Sequence, residues 1–175
     1  MSSRHLKPGG YIEFQELEYW PRCDDDTLSP EKSYPLRDYL GYLAQGMGMF
    51  PHGSDLHAVR TLPDELRAAG FENVQNIRHK CPLGPWPAEK RLRTCGMCLS
   101  AAFLDGLSGV STKPLLALGW TPAEIEVLLF DVREAIMDPT IHAYFAFHVV
   151  YGRKPSLGQA SKADPHSEQI GSGLK

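Results

Sequence analysis

The chain turns sharply near its start and then runs straight. Lys7-Pro8-Gly9-Gly10 has the chemistry of a type II turn. The Pro8 ring presets φ at the first central position, and Gly9 supplies the positive φ needed at the second. The residues behind it alternate: Ile12 and Phe14 fall on one face of an extended segment, Tyr11, Glu13 and Gln15 on the other. That period predicts a strand over 11–19. A turn joined to a strand commits the chain to a sheet, which the later elements must cover or extend.

Polar residues from Arg22 to Ser33, including Asp24-Asp25-Asp26, read as a solvated loop. Leu36, Tyr39, Leu40, Leu43 and Met47 then recur as one helical stripe, with Ser33 as the expected cap and Gly46 and Gly48 as the expected end. A second helical stretch, 55–69, carries Val59, Leu62 and Leu66, is divided by Pro63, and meets a left-handed cap at Gly70. Residues 73–81 predict a strand, closed by Pro82 and the Pro85-Trp86-Pro87 corner. Strand, helices, strand is the order of a parallel α/β domain. Residues 88–105 place Leu92, Cys95, Leu99, Ala102 and Phe103 on one helical side, expected to face inward. Thr121-Pro122-Ala123-Glu124 is a capping box ahead of Ile125, Leu128, Leu129, Val132 and Ile136. Residues 142–151 are aromatic and β-branched on both parities, which predicts a strand inside a sheet. From Pro155 the chain loses all period, so 156–175 is expected to be a disordered tail.

With 175 residues the chain fits one domain with a tail, and 42% hydrophobic and 22% charged residues are ordinary for a globular fold. A net charge of −3 leaves no basic footprint, so neither nucleic acid nor membrane is expected as a partner. No apolar stretch reaches the roughly 18 residues a bilayer demands. Nothing near the start reads as a secretion signal. Cys23, Cys81, Cys95 and Cys98 are unevenly spaced, which favours reduced thiols and a cytoplasmic or nuclear location.

Four segments carry a resemblance. "GGYIEFQE", "GPWPAEKRL", "LGWTPAEIEVLL" and "HAYFAFHVVYGRKP", in this order, are similar to class I S-adenosylmethionine-dependent methyltransferases. The pattern looks closest to the fungal secondary-metabolism group that includes the velvet-complex regulator. The resemblance covers roughly residues 4–155. It implies a Rossmann-like α/β sheet of seven strands whose last runs antiparallel. Segments 11–19, 73–81 and 142–151 would be strands 5, 6 and 7, and the helices over 88–137 a lid-like insertion before the last. It implies S-adenosylmethionine as cofactor and a small-molecule acceptor or a regulatory protein as partner. The family's glycine-rich turn after the first strand has no counterpart, since Gly46-Met47-Gly48 with Gly53 follows a helix. The chain, with only Met1–Leu6 ahead of the first turn, therefore reads as the carboxyl-terminal half of such a domain, truncated, and not expected to bind the cofactor alone. The competing reading is a non-catalytic interaction module that pairs through its open sheet edge.

Ligands of open α/β sheets bind beyond the carboxyl ends of the strands. That singles out Gln15, Glu16 and Tyr19, with Glu13 as a carboxylate that burial would turn into a base. The plainer role for Glu13 and Glu16 is hydrogen-bonded or solvated sheet carboxylates. His142, Tyr144 and His148 share one parity and are expected to face the lid, Tyr144 and His148 touching acceptor. Two histidines six residues apart on a strand lie roughly 20 Å apart, too far to share a metal. Cys95-Gly96-Met97-Cys98 sits inside a helix and not at its start, so buried free thiols are expected before a redox or zinc site. Trp86 and Trp120 read as packing anchors, with Trp86 also a candidate wall of an aromatic acceptor pocket. His52 and His57 precede the second helix and read as exposed.

Overall fold

The computed structural model describes residues 5–29, 31, 33–51 and 55–156. The expectations placed on residues 157–175, on 1–4, on His52 and on Gly53 lie outside the described residues. Three strands and four α-helices follow in the order β1 (Tyr11–Arg22), α1 (Pro35–Gly48), α2 (Leu62–Ala68), β2 (Glu72–Pro82), α3 (Lys90–Ala117), α4 (Pro122–Met137) and β3 (Tyr144–Arg153).

The strands form one sheet in the order β1-β3-β2, with β3 antiparallel to both neighbours. β1 and β2 therefore point the same way without touching, and the parallel order read from the sequence is completed by a reversed strand between them. The Gly9 turn has its expected form, with φ of 79° and a hydrogen bond from Gly10 N–H to the Lys7 carbonyl of 2.9 Å. Gly9 and Gly10 also exchange hydrogen bonds with Lys154 (2.9 and 2.8 Å), which pins the turn to the end of β3. From there Tyr11↔Arg153 to Glu18↔Ala146 pair without interruption. On the other side the register slips once between Glu72 and Gln75, where Asn73 adopts a φ of 52°. Asparagine tolerates that left-handed bulge conformation better than most residues.

Helix ends follow local chemistry closely. After α2, Gly70 (φ 83°) and Phe71 return hydrogen bonds to Arg67 and Leu66, and Phe71 packs with Leu66 in the core, a Schellman motif. Gly119 and Trp120 do the same after α3. The Thr121–Glu124 capping box is closed in both directions, at 3.3 and 2.8 Å. Three expectations need correction. Tyr34 and not Ser33 is the N-cap of α1, because the Ser33 hydroxyl is turned to Asp38 instead. The 55–69 segment is a 3-10 turn (Ala58–Arg60) followed by the short α2, with Pro63 at the helix start where a missing N–H costs nothing. The 88–105 helix continues to Ala117, carrying Pro114 within its last turn.

α1, α3 and α4 pack together against one side of the sheet, and α2 against the other. Leu36, Leu40, Leu115, Leu129, Val132 and Phe145 are almost fully buried in the larger core, whereas Val59, Leu66, Phe71 and Val150 form the smaller one. The expected inward stripe of α3 is packed in part: Leu99 and Phe103 lie against the larger core, and the rest of it does not. Leu92 is 40% exposed, and Cys95 and Ala102 are exposed. The most deeply buried residues of the helix are Gly96, Leu107, Ser111, Pro114 and Leu115, and glycines allow close approach at Pro114 and at Gly96. A Cβ on Gly46 would lie 2.4 Å from the Pro114 carbonyl oxygen, and one on Gly96 2.1 Å from the Gly84 oxygen. Gly46 is thus a contact point between α1 and α3, and Gly48 ends the helix as expected.

This contrast is testable with two substitutions two positions apart. Gly46→Ala should destabilise the fold by about 1–3 kcal/mol, the range for overpacking a tight contact. Gly48→Ala, with no neighbour within 4 Å of its Cβ, should leave stability unchanged or raise it by up to about 1 kcal/mol. Urea unfolding of both variants measures the difference, and equal midpoints would contradict the packing described.

Candidate functional site

β3 pairs with only one edge of β1, and among the described residues the other edge is unpaired. Side chains of both parities border the space beyond it: Phe14 and Glu16 from one, Leu17 and Tyr19 from the other. α1 closes this space with Tyr39, Leu43 and Met47, and α3 with Leu99, Phe103 and Val110. Leu56, Val59 and Leu62 complete it. This half-open space has a volume of about 720 Å³. The α3 stripe, only partly packed against the core, is therefore also one wall of this space.

Aromatic contacts hold that wall against the sheet. Phe103 stacks on Phe145 at 5.3 Å, and Tyr19 meets both rings at 6.2 and 6.5 Å. The Tyr39 hydroxyl shares a buried hydrogen bond of 2.8 Å with Ser111. Burial pushes its phenol above the ordinary value, against the weaker opposite effect of Ser111, so Tyr39 stays neutral. The charged residues of the lining are Glu16, Asp55 and Glu65, all carboxylates. Asp55 accepts the His57 backbone N–H (2.8 Å) and Glu65 the Thr61 hydroxyl (2.6 Å). For Glu16, neither a hydrogen bond nor an ion pair with another described residue is found.

A charge network centred on the buried Glu18 and His148, with half-exposed Arg22 and Arg60, lies on the α2 side. Glu18, 3% exposed, accepts hydrogen bonds from Arg22 (2.9 and 3.0 Å) and Arg60 (2.6 Å). Its Oε2 lies 3.5 Å from His148 Nε2, and His148 Nδ1 lies 3.0 Å from Asn76 Oδ1. Burial raises the Glu18 pKa, but the Arg60 and Arg22 hydrogen bonds outweigh it, and the carboxyl sits below its ordinary value. Arg60 belongs to the turn whose Ala58 and Val59 line the cavity, so Glu18 fixes that wall. Burial also dominates at His148. It lowers the imidazole pKa more than Glu18 raises it, with Arg78 and Arg22 adding to the lowering.

The residues picked from the sequence divide. Glu16 and Tyr19 line the cavity; Glu13, Gln15, Trp86, Tyr144 and His148 do not. Glu13 is exposed and accepts a hydrogen bond from Gln15 Nε2 (2.7 Å). Trp86 donates to the Ala143 carbonyl (3.0 Å) and stacks on His142 at 5.1 Å. Tyr144 donates to Asp24 (2.8 Å), which also pairs with Lys80. His142, Tyr144 and His148 do not face α3, contrary to expectation: Phe145 does. Only one parity of a strand can face α3, and the one carrying the apolar ring is the one buried there. Cys95 and Cys98 are exposed and not buried, because Gly96 between them makes the close contact and turns its neighbours outward. Cys95 instead approaches Cys81 at 3.6 Å, whose thiol is pushed up to about 12 chiefly by burial.

Glu18, Asp55 and Glu65 were not singled out from the sequence. Glu18 had a signal: it shares parity with Ile12 and Phe14, the apolar face of β1, where a carboxylate must be paired. Asp55 and Glu65 had none, since their place depends on the path of the 55–65 segment. The His148 environment sets a pH dependence. Its folded pKa is depressed, so its contribution is complete above the unfolded value of about 6.5 and is lost as pH falls below it. Wild-type stability to urea should fall between about pH 7 and pH 5.5 by up to roughly 1.4 kcal/mol per pH unit. His148→Gln should flatten that slope, and an unchanged slope would contradict the account.

No family model matches the chain. It is similar over 152 residues, 86% of its length, to "Methyltransferase pytC" of Aspergillus terreus, with 34% identity and 46% of that protein covered. "Probable methyltransferase tdiE" of Emericella nidulans is 32% identical over 152 residues, 47% of its length. "Protein-methionine methyltransferase laeA" of the same organism is 29% identical over 154 residues, 40% of its length. The chain thus spans about half the length, or less, of the curated relatives it matches. Its α/β architecture is consistent with a class I methyltransferase-like fold, and over most of its length the chain is a relative of the fungal methyltransferases and secondary-metabolism regulators.

Proposed function

We propose that this chain forms the acceptor side of an S-adenosylmethionine-dependent methyltransferase. In this reading β1, β2 and β3 stand as the fifth, sixth and seventh strands of the family sheet, and α3 and α4 are the insertion that covers the acceptor. The observation that carries it is the sheet order β1-β3-β2, with the last strand of the chain running between two like-directed neighbours. The reversed β3 between two like-directed strands agrees with the antiparallel last strand that the resemblance implies.

Gly46 and Gly48 do not form a donor-binding turn. Gly46 is packed against Pro114 and Gly48 closes α1, so neither lies in a turn between a strand and a helix N-terminus. The donor site is assigned to the portion of the relatives that the chain does not span. Cavity residues of this chain would orient the acceptor and exclude water, and positioning of this kind can supply much of a transfer rate.

Calorimetry separates the parts of this reading. The chain alone should give no heat with S-adenosylmethionine. The chain fused to the unmatched portion of the Aspergillus terreus methyltransferase should bind it with micromolar affinity. Micromolar binding by the chain alone, or none by a folded fusion, would overturn the assignment.

A further inference from the structure

Two thiols from different elements meet where α3 begins. Cys81 lies near the end of β2, held in the sheet by its pairing with Phe145, and Cys95 lies in the second turn of α3. Their sulfurs are 3.6 Å apart. Close backbone contact keeps them together. Gly84 N–H donates to the Gly96 carbonyl (3.2 Å), and a Cβ on Gly96 would lie 3.3 Å from Pro82 Cβ. Pro82 follows Cys81 and Gly96 follows Cys95, so each cysteine is one residue from the point where strand end and helix touch. Among the described residues no third histidine, cysteine or carboxylate completes a metal-binding group with them.

The two thiols differ in access. Cys95 is exposed and Cys81 half-buried. Burial, together with the neighbouring Cys95 sulfur, pushes the Cys81 thiol up to about 12. Cys95 is therefore the sulfur that meets an oxidant first, and capping it removes its own part of the effect on Cys81.

We propose that Cys81 and Cys95 form a reversible disulfide that locks the start of α3 to the end of β2. The oxidant is a low-molecular-weight disulfide such as oxidised glutathione. The Cys95 thiolate attacks one of its sulfurs and displaces a glutathione thiolate. Cys81 gives its proton to water, attacks the Cys95 sulfur of the mixed disulfide and displaces the second glutathione. Two protein thiols are oxidised to one bridge, and one oxidised glutathione is reduced to two thiols. A bridge with one exposed sulfur is open to the reverse attack by reduced glutathione, so the lock opens again. This goes beyond the acceptor-side reading and needs neither methyl donor nor acceptor.

The test is incubation of the purified chain with oxidised glutathione, followed by peptide mass analysis without reduction and by thermal unfolding. A Cys81–Cys95 crosslink within one molecule should form in the wild type and in Cys98→Ser. It should be absent from Cys81→Ser and Cys95→Ser, and should disappear in millimolar reduced glutathione. Cys95→Ser changes an exposed residue, so the test does not depend on the folding of Cys81→Ser. Closing the loop over residues 81–95 should raise the unfolding temperature of the oxidised wild type by roughly 6–12 °C over the reduced form. A Cys95–Cys98 bridge in its place, crosslinks only between molecules, glutathione left on Cys95 with no bridge, a bridge that leaves the unfolding temperature unchanged, or one that survives reduced glutathione would each overturn the proposal. The acceptor-side reading fails separately, in the donor titration of the fusion.

Discussion

The structure depends on the double pairing of β3. This last strand hydrogen-bonds β1 along one edge and β2 along the other, joining segments far apart in the chain that have no contact of their own in the sheet. Its two faces also serve the two cores: Phe145 anchors α3 through Phe103, and Val150 sits among Val59, Leu66 and Phe71. Remove β3 and neither core has a floor. The Gly9–Lys154 hydrogen bonds close the arrangement by tying the first turn to the last strand.

The cavity follows from that topology. Since β3 occupies one edge of β1, the other edge is unpaired among the described residues, and α1 and α3 border the space beside it. Close glycine contacts decide how α3 lies. Pinned at Gly46–Pro114 and Gly96–Gly84, it turns Leu99, Phe103 and Val110 toward the space beside β1 and leaves Leu92 and Cys95 exposed. The Glu18 network then holds the 58–60 turn in place as the remaining wall. Apolar surface that would otherwise cost stability thus lines a chamber of ligand size.

What was legible in the sequence was what local chemistry decides. Pro8-Gly9, Gly70-Phe71 and Thr121–Glu124 each specify a turn or cap by residue type within four positions, and each is found. The apolar content of 142–151 on both parities announced an interior strand, as it is. What was not legible depends on partners distant in sequence. The stripe on α3 marks a face that avoids water, but periodicity cannot say whether a core or a cavity receives it. Gly46 resembles any helix terminator until Pro114 is placed beside it. His148 and Tyr144 were assigned to the wrong side because parity groups residues without saying which group faces the helices. Glu16 and Tyr19, picked by the strand-end rule, border the space beside β1, and Glu18 was passed over because its neighbours Arg60 and His148 come from other elements.

Native-state hydrogen exchange of the isolated chain tests the central role of β3 most directly. Amides of β3 that bond to β1 or β2 should exchange only through global unfolding, with protection matching the stability measured by urea. The outward amides of β1 should exchange faster by several orders of magnitude. If β3 amides exchanged as quickly as those on the open edge of β1, the strand would not be the central one and the account of sheet and cavity would fail.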